Sequence, residues 1–305
     1  MKSQTTSEPA HITSNNPNTI QYKTLEIEGL NVFYREAGSP EKPTLLLLHG
    51  YPTSSHMFRN LIAELGEKYH LIAPDYPGFG QSSMPLVGEF EYTFDHLADI
   101  INQFIVAKGL KNFSLYIMDY GSPIGFRIAT RNPEKIQALL VQNGNAYEEG
   151  LSPFWEPIKS YWADPQNEIN RKNMIDSLSL EGTKWQYLTG TRNRESISPD
   201  AWTIDQLGLD RPGNQEIQLA LYYSYRSNLE LYPEWQKYLR KYQPPTLITW
   251  GKNDEIFPAS GAYAYQKDLN NVELHLLDTG HFALEEDGKL IASLIDQFLI
   301  KNRIQ

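Results

Sequence analysis

The chain has no cysteine in 305 residues. That absence excludes a disulfide framework, a thiolate nucleophile and any zinc site built on Cys, and it leaves the compartment open. A basic stripe is missing as well. Lys and Arg number 27 against 37 Asp and Glu, for a formal charge of −10, and nothing concentrates cations that could displace counterions from phosphates. No nucleic-acid partner is expected, and the acidic balance reads as a solvated surface. No apolar run approaches the roughly 18–20 residues that a membrane helix needs, so no membrane partner is expected either. The opening stretch MKSQTTSEPAHITSNNPNTI carries one Lys but no apolar h-region, and so does not read as a signal peptide. The expectation is a polar flexible tail over residues 1–21 and a cytoplasmic protein.

Apolar content of 40% with 21% charged residues is that of a globular chain, and at this length roughly three quarters of the unfolded surface can be buried. From Leu25 the pattern alternates between strand and helix. LEIEGLNVFYREAG suggests a hairpin, TLLLLHG a buried strand, and helix follows from about Ser54. YHLIAPDYPGFG is a strand and turn. YTFDHLADIINQFIVAKGL is a helix with a Thr or Asp start and a Gly stop, and FSLYIMDYG, SPIGFRIATRNP and IQALLVQNG follow as strand, helix and strand. Between residues 145 and 243 the rhythm changes to longer helical segments rich in Trp and Tyr. Alternation resumes in TLITWGKND, GAYAYQKDL, VELHLLDTG and KLIASLIDQFLI. Repeated strand-helix units imply a mostly parallel sheet with helices on both faces. The expected organisation is an α/β core over 22–144 and 244–305 with an inserted helical cap over 145–243.

In such sheets ligands bind beyond the carboxyl ends of the strands. HGYP follows the first core strand, MDYG the third, and GKND and DTGH the last two. An acid at a strand-to-helix corner, then a second acid, then a His is the chain order of the α/β-hydrolase fold, with Asp119 where that fold commonly has Ser. A free carboxylate has a pKa near 3.9, so at pH 7 it is about a thousandfold more ionised than protonated and needs no base to attack. Attack on a carboxylic ester would give an anhydride, an uphill product. Attack on a saturated carbon bearing a leaving group gives an ordinary alkyl ester. The inferred cycle is displacement by Asp119, then hydrolysis of the Asp119 ester by water that His281 deprotonates, with Asp254 orienting His281. Backbone N–H groups of Tyr51 and Tyr120 would hold the ester carbonyl oxygen, each typically worth about 3 kcal/mol of barrier.

Simpler roles exist for each residue. Asp119 could cap the helix that follows it, Asp254 could cap a helix near Ser260, and Glu255 is its nearest rival as the acid. His49 reads as a turn-stabilising residue. Asn143, after the strand IQALLVQ, stands where some related enzymes keep their acid, and its neutrality supports Asp254. The histidines show no metal-ligand spacing, and no metal or cofactor is needed.

Together HGYPTSSHMFRN, APDYPGFGQS, IMDYGSPIGF, WGKNDEIFP and DTGHFALEE resemble the haloalkane dehalogenase and epoxide hydrolase branch of the α/β-hydrolase superfamily. The resemblance covers residues 25–144 and 244 to the end. It implies a covalent Asp mechanism on a small-molecule substrate, without a cofactor, and leaves the oligomeric state open between monomer and homodimer. In dehalogenases a Trp directly after the nucleophile stabilises the departing halide, aided by the cap or by the residue after HG; here those core positions are Tyr120 and Tyr51. In epoxide hydrolases two cap tyrosines donate to the epoxide oxygen. LYYSYRSN resembles the segment that carries one of them, which implies Tyr225, and Tyr161 in PIKSYWADP is the candidate for the second. The resemblance favours epoxide hydrolysis. Haloalkane dehalogenation is the alternative, and a non-catalytic small-molecule binder is a third reading.

Overall fold

The computed structural model describes residues 19–304; the tail expected over 1–21 lies almost wholly outside them. Eight strands form one sheet: β1 (Gln21–Ile27), β2 (Leu30–Ala37), β3 (Thr44–Leu48), β4 (His70–Pro74), β5 (Phe113–Met118), β6 (Ile136–Gln142), β7 (Thr246–Gly251) and β8 (Val272–Leu277). Their order is β1-β2-β4-β3-β5-β6-β7-β8. The first two strands are the expected hairpin, closed by Glu28 and Gly29 in the left-handed region. The hairpin joins the sheet antiparallel through β4, and every other pairing is parallel.

The central strands β3, β4, β5 and β7 are buried at every position, which is why they read as continuous apolar runs rather than alternating ones. Alternation survives in where each side chain goes. Leu46 and Leu48 of β3 enter one core with Phe113, Leu115 and Ile117 of β5. Leu45 and Leu47 enter the other with Tyr116 and Met118, as the two-residue period of a strand requires. The first core is covered by α2 (Phe94–Ala107) and α3 (Gly121–Arg131), the second by α1 (Arg59–Leu65) and α11 (Ala283–Lys301). Thr93 caps α2 by accepting from the His96 N–H at 3.2 Å, and Gly109 follows its end at φ +68°. Ser54 opens a 3-10 turn over Ser55–Phe58, so the regular helix expected from Ser54 begins only at Arg59.

Between β6 and β7 lie α4 (Glu156–Ala163), α5 (Glu168–Ser177), α6 (Leu180–Leu188), α7 (Pro199–Leu209), α8 (Asn214–Ser224) and α9 (Arg226–Tyr242). A short α10 (Ala259–Ala264) follows β7. No helix among the described residues is long and apolar enough to cross a membrane.

Candidate active site

The strand order places the chemistry. Along the carboxyl edge, β3, β5, β6, β7 and β8 are consecutive neighbours, so the residues just beyond them, Tyr51, Asp119, Asn143, Asp254 and His281, share one rim.

Asp119 sits between β5 and α3 at φ +48°, in the left-handed region that non-Gly residues seldom occupy and that marks strained functional turns. Two glycines admit the corner. A Cβ on Gly121 would lie 2.2 Å from the Leu48 carbonyl oxygen, and one on Gly50 would lie 2.4 Å from the Asp119 Cβ. Ile117, bulky for a position two residues before a nucleophile, is accommodated by Gly125, where a Cβ would stand 2.4 Å from the Ile117 Cγ2. The Asp119 side chain does not cap α3, whose N-cap is Tyr120 without a side-chain bond. Instead Asp119 Oδ1 accepts the Tyr51 N–H at 2.6 Å, and the Tyr120 N–H also bonds the carboxylate. Ser122, one turn on, donates to the Asn145 carbonyl at 3.0 Å and is spent there.

Asp254 is buried and fully engaged. Its Oδ2 accepts from His281 Nδ1 at 2.7 Å and from Asn143 Nδ2 at 2.7 Å, and its Oδ1 accepts the N–H groups of Ile256 and Phe257 at 2.8 and 3.2 Å. It caps that turn rather than the helix near Ser260, whose N-cap is Pro258. Glu255 is exposed. Asn143 reads as neutral support from sequence, yet it makes direct contacts that pattern alone does not reveal. Besides donating to Asp254 it accepts the Gly251 N–H at 2.9 Å through Oδ1, and its own carbonyl accepts the Asp119 N–H at 3.4 Å. One amide thus joins the nucleophile's turn to the acid's. Gln142, also not foreseen, donates to the His281 carbonyl at 3.2 Å and accepts from the Tyr116 hydroxyl.

His281 Nε2 has no hydrogen-bond partner and lies 3.9 Å from Asp119 Oδ2. That separation exceeds a direct hydrogen bond and suits one water touching both groups. Asp119 is not as freely ionised as its intrinsic pKa implies. Burial raises its pKa, against the lowering effects of His281 and of the Tyr51 and Tyr120 N–H groups. Burial pulls His281 down, but the Asp254 carboxylate and then Asp119 outweigh it, so its pKa ends raised. His49 is buried neutral, pushed down to about 4 by burial. Its Nδ1 bonds the Gly50 carbonyl at 2.9 Å and its Nε2 faces the Tyr76 N–H, which holds the Gly50–Tyr51 turn as the sequence suggests.

Above Asp119 lies a cavity of about 80 Å³ walled by Tyr51, Tyr120, Trp155, Tyr222 and Tyr225 among others. Helices α4, α6 and α8 supply its roof. The Tyr225 ring stands 4.6 Å from that of Trp155 and 5.9 Å from that of Tyr120. Tyr161 is not part of the wall. It is buried between α4 and α8 with its hydroxyl 3.5 Å from the Leu219 carbonyl, one turn beyond Ile158, the α4 residue that does reach the cavity. Tyr222, three residues before Tyr225 on the same helical face, stands in the wall instead; that spacing was the available signal. The hydroxyl of Tyr120 is buried without a hydrogen-bond partner, and that of Tyr51 faces the Tyr222 hydroxyl. The indole N–H groups of Trp155 and Trp162 are committed to the carbonyls of Ile256 (3.0 Å) and Tyr222 (2.6 Å). Among the described residues no group of three His, Cys, Asp or Glu side chains could hold a metal ion.

An anionic oxygen held by two N–H groups, an imidazole aligned by a carboxylate, and a small apolar cavity over both suit displacement at carbon followed by hydrolysis. Comparison with known proteins agrees on the class. The family model described as the alpha/beta hydrolase fold matches residues 43–288. An uncharacterized hydrolase of Saccharomyces cerevisiae is 45% identical over 90% of this chain and 95% of its own length. A haloalkane dehalogenase of Bradyrhizobium diazoefficiens is 35% identical over 40% of this chain and 39% of its own. The solved epoxide hydrolase CorEH superposes with a TM-score of 0.75 at 20% identity, covering 93% of this chain and 99% of that one. This chain is a hydrolase and belongs to the α/β-hydrolase family, with haloalkane dehalogenases and epoxide hydrolases among the proteins it is similar to.

Proposed function

We propose that the chain is an epoxide hydrolase acting through a covalent aspartyl-alkyl ester. Oδ1 of Asp119, bonded to the Tyr51 N–H, becomes the ester carbonyl, and Oδ2 attacks a saturated ring carbon. The ring C–O bond breaks, and its electron pair takes a proton from a wall phenol. His281, aligned through Nδ1 by Asp254, then removes a proton from water, whose oxygen attacks the ester carbon. Collapse breaks the ester C–O bond. The departing alkoxide takes the second water proton from the newly formed acid, which gives the diol and regenerates the Asp119 carboxylate, and the imidazole proton restores the phenol. The Tyr51 and Tyr120 N–H groups carry the charge of the tetrahedral intermediate.

The observation that carries this choice is the nature of the donors around the cavity. Four are phenols, Tyr51, Tyr120, Tyr222 and Tyr225, against two indoles in the same wall: Trp155, which has spent its N–H on a backbone carbonyl, and Trp185, whose ring stacks on Phe154. An alkoxide leaving group needs a transferable proton. A phenol near pKa 10 can supply one, whereas indole N–H is only a hydrogen-bond donor. Burial raises the Tyr120 and Tyr225 hydroxyls well above that value, so both stay protonated at neutral pH. The cavity of about 80 Å³ is well below the roughly 300 Å³ at the lower end of drug-sized pockets, which fits an epoxide of a few heavy atoms.

Dehalogenation is the second reading, favoured by one observation: Tyr120, at the core position directly after the nucleophile where relatives place a halide donor, has an unpartnered hydroxyl. Matched terminal substrates of equal carbon skeleton, one an epoxide and one a haloalkane, separate the two. Diol formation exceeding halide release by tenfold or more in kcat/KM is the expected result. Halide release without diol would overturn the first reading in favour of the second.

A further inference from the structure

The cavity over Asp119 is closed on nearly every side. Among its wall residues only Phe154, Ser177, Gly182 and Trp185 reach the surface. Phe154 is 36% exposed and the other three are half-buried. They form one seam, between the turn that opens α4 and the α5–α6 connection. Gly182 brings no side chain to this seam, and a Cβ there would lie 2.3 Å from the Ser177 carbonyl oxygen. Ser177 is turned inward, its hydroxyl donating to the Met174 carbonyl at 2.6 Å and meeting the Tyr222 hydroxyl at 3.2 Å. Closure is left to two rings. Those of Phe154 and Trp185 stack with centroids 5.4 Å apart and planes 2° from parallel. The backbone beneath Phe154 is pinned: its N–H donates to Ser152 Oγ at 3.2 Å, Ser152 Oγ donates to the Glu255 carbonyl at 2.5 Å, and the neighbouring Trp155 indole donates to the Ile256 carbonyl. Exposed side chains change rotamer within picoseconds to nanoseconds, so the stack can part while that backbone stays in place.

We propose that Phe154 and Trp185 are specificity-determining residues: their stacked rings are the door to Asp119, passing slender terminal epoxides and holding back aryl-substituted ones. The substrate class rests on the functional reading above; the door itself does not. A single narrow chain enters once one ring turns aside. A flat aryl group needs both rings displaced, and the cavity of about 80 Å³ behind them gives it little room until the Trp185 ring has left the wall. Opening of a cover over an enclosed site commonly limits passage through it. Discrimination between substrates is a ratio of their kcat/KM values, so a barrier met at entry is read directly in that ratio.

The test uses the His281→Gln protein, in which an ester on Asp119 is expected to persist, and follows adduct formation by intact-mass spectrometry. Alkylation by styrene oxide relative to 1,2-epoxybutane should rise about tenfold on Trp185→Ala and on Phe154→Ala, with the gain in styrene oxide. It should not change on Ile204→Ala, which alters an exposed apolar residue of α7 outside the cavity wall. Phe154 is the more exposed of the pair, so its variant keeps the test open if Trp185→Ala does not fold. Trialkyloxonium salts read the door without epoxide chemistry, because they transfer an alkyl group to a carboxylate oxygen and leave as dialkyl ether. The Asp119 ester formed by triethyloxonium relative to trimethyloxonium, located by peptide mapping and referred to the exposed Glu255, should rise about tenfold in the same two variants. Unchanged ratios in both variants, or a shift in only one reagent series when both react, would overturn the proposal. A rise with the oxonium salts and no adduct from any epoxide would uphold the door and overturn the functional reading.

Discussion

The strand-end rim and the helical excursion over it build their polar groups in opposite ways. On the rim almost every polar atom is spoken for: Asp254 has four donors, Asn143 bridges two turns, and the unpartnered Nε2 of His281 is the atom the proposed chemistry needs free. Around the roof, phenols stand in an aromatic cluster, and the indoles of Trp155 and Trp162 have turned away to backbone carbonyls. A satisfied hydrogen-bond network fixes geometry, because leaving any buried member unpaired costs roughly 1–3 kcal/mol. An aromatic wall fixes shape and leaves the choice of leaving group to a few hydroxyls. In the proposed cycle the rim sets what bond is made, and the excursion sets to what.

That contrast predicts unequal damage. Asp119→Ala should lower kcat by about a millionfold, as losing a nucleophile does. Asp254→Asn should cost about ten thousandfold, because an amide cannot hold the His281 tautomer against the donors that now meet its own N–H group. Both are measured by steady-state diol formation, and losses under tenfold would break the distinction between rim and roof. In the roof, Tyr225→Phe should lower epoxide turnover by about a hundredfold, the usual scale for a lost proton donor, with less than tenfold effect on halide release. Trp155→Phe should change either rate by under about threefold, since its N–H is already bonded to Ile256. If Trp155→Phe were the more damaging of the two, and on halide release, the roof would be a halide site.

A subtler difference appears in pH. The His281 pKa is raised by Asp254 and Asp119 despite burial, and the base must be neutral to act. Activity should therefore be lost as pH falls through a value above the ordinary histidine value near 6.5. Alkylation removes the Asp119 charge and with it one of the raising influences. The acid limb for hydrolysis of the ester, followed in a single turnover, should then lie below that of free His281 titrated by NMR. Identical values would mean that Asp119 does not influence the base.

Much of the rim was legible in sequence because the signals are local. Continuous apolar runs mark strands buried on both faces, and the residue after each run is where a parallel sheet presents its ligand groups, so Asp119, Asp254 and His281 could be read from chain order. What escaped depends on contacts distant in sequence. Ile117 looks too large until Gly125 is placed against it. Asn143 looks merely neutral until β6 lies between β5 and β7. The ionisation of Asp119 looks free until burial is counted. The roof was read less well, since every tyrosine in an aromatic-rich helix resembles the next. The packing of α4 on α8, which no pattern states, turns Tyr161 to the Leu219 carbonyl and leaves Tyr222 and Tyr225 on the cavity.

The central claim is that carbon is transferred to Asp119 and freed by water that His281 activates. Intact-mass spectrometry of the His281→Gln variant after exposure to a small terminal epoxide tests it directly. A stable adduct of one epoxide mass is expected, located by peptide mapping to Asp119 and absent from the double variant lacking that carboxylate. An unmodified protein across a panel of epoxides and haloalkanes, or diol formation at the wild-type rate, would contradict it.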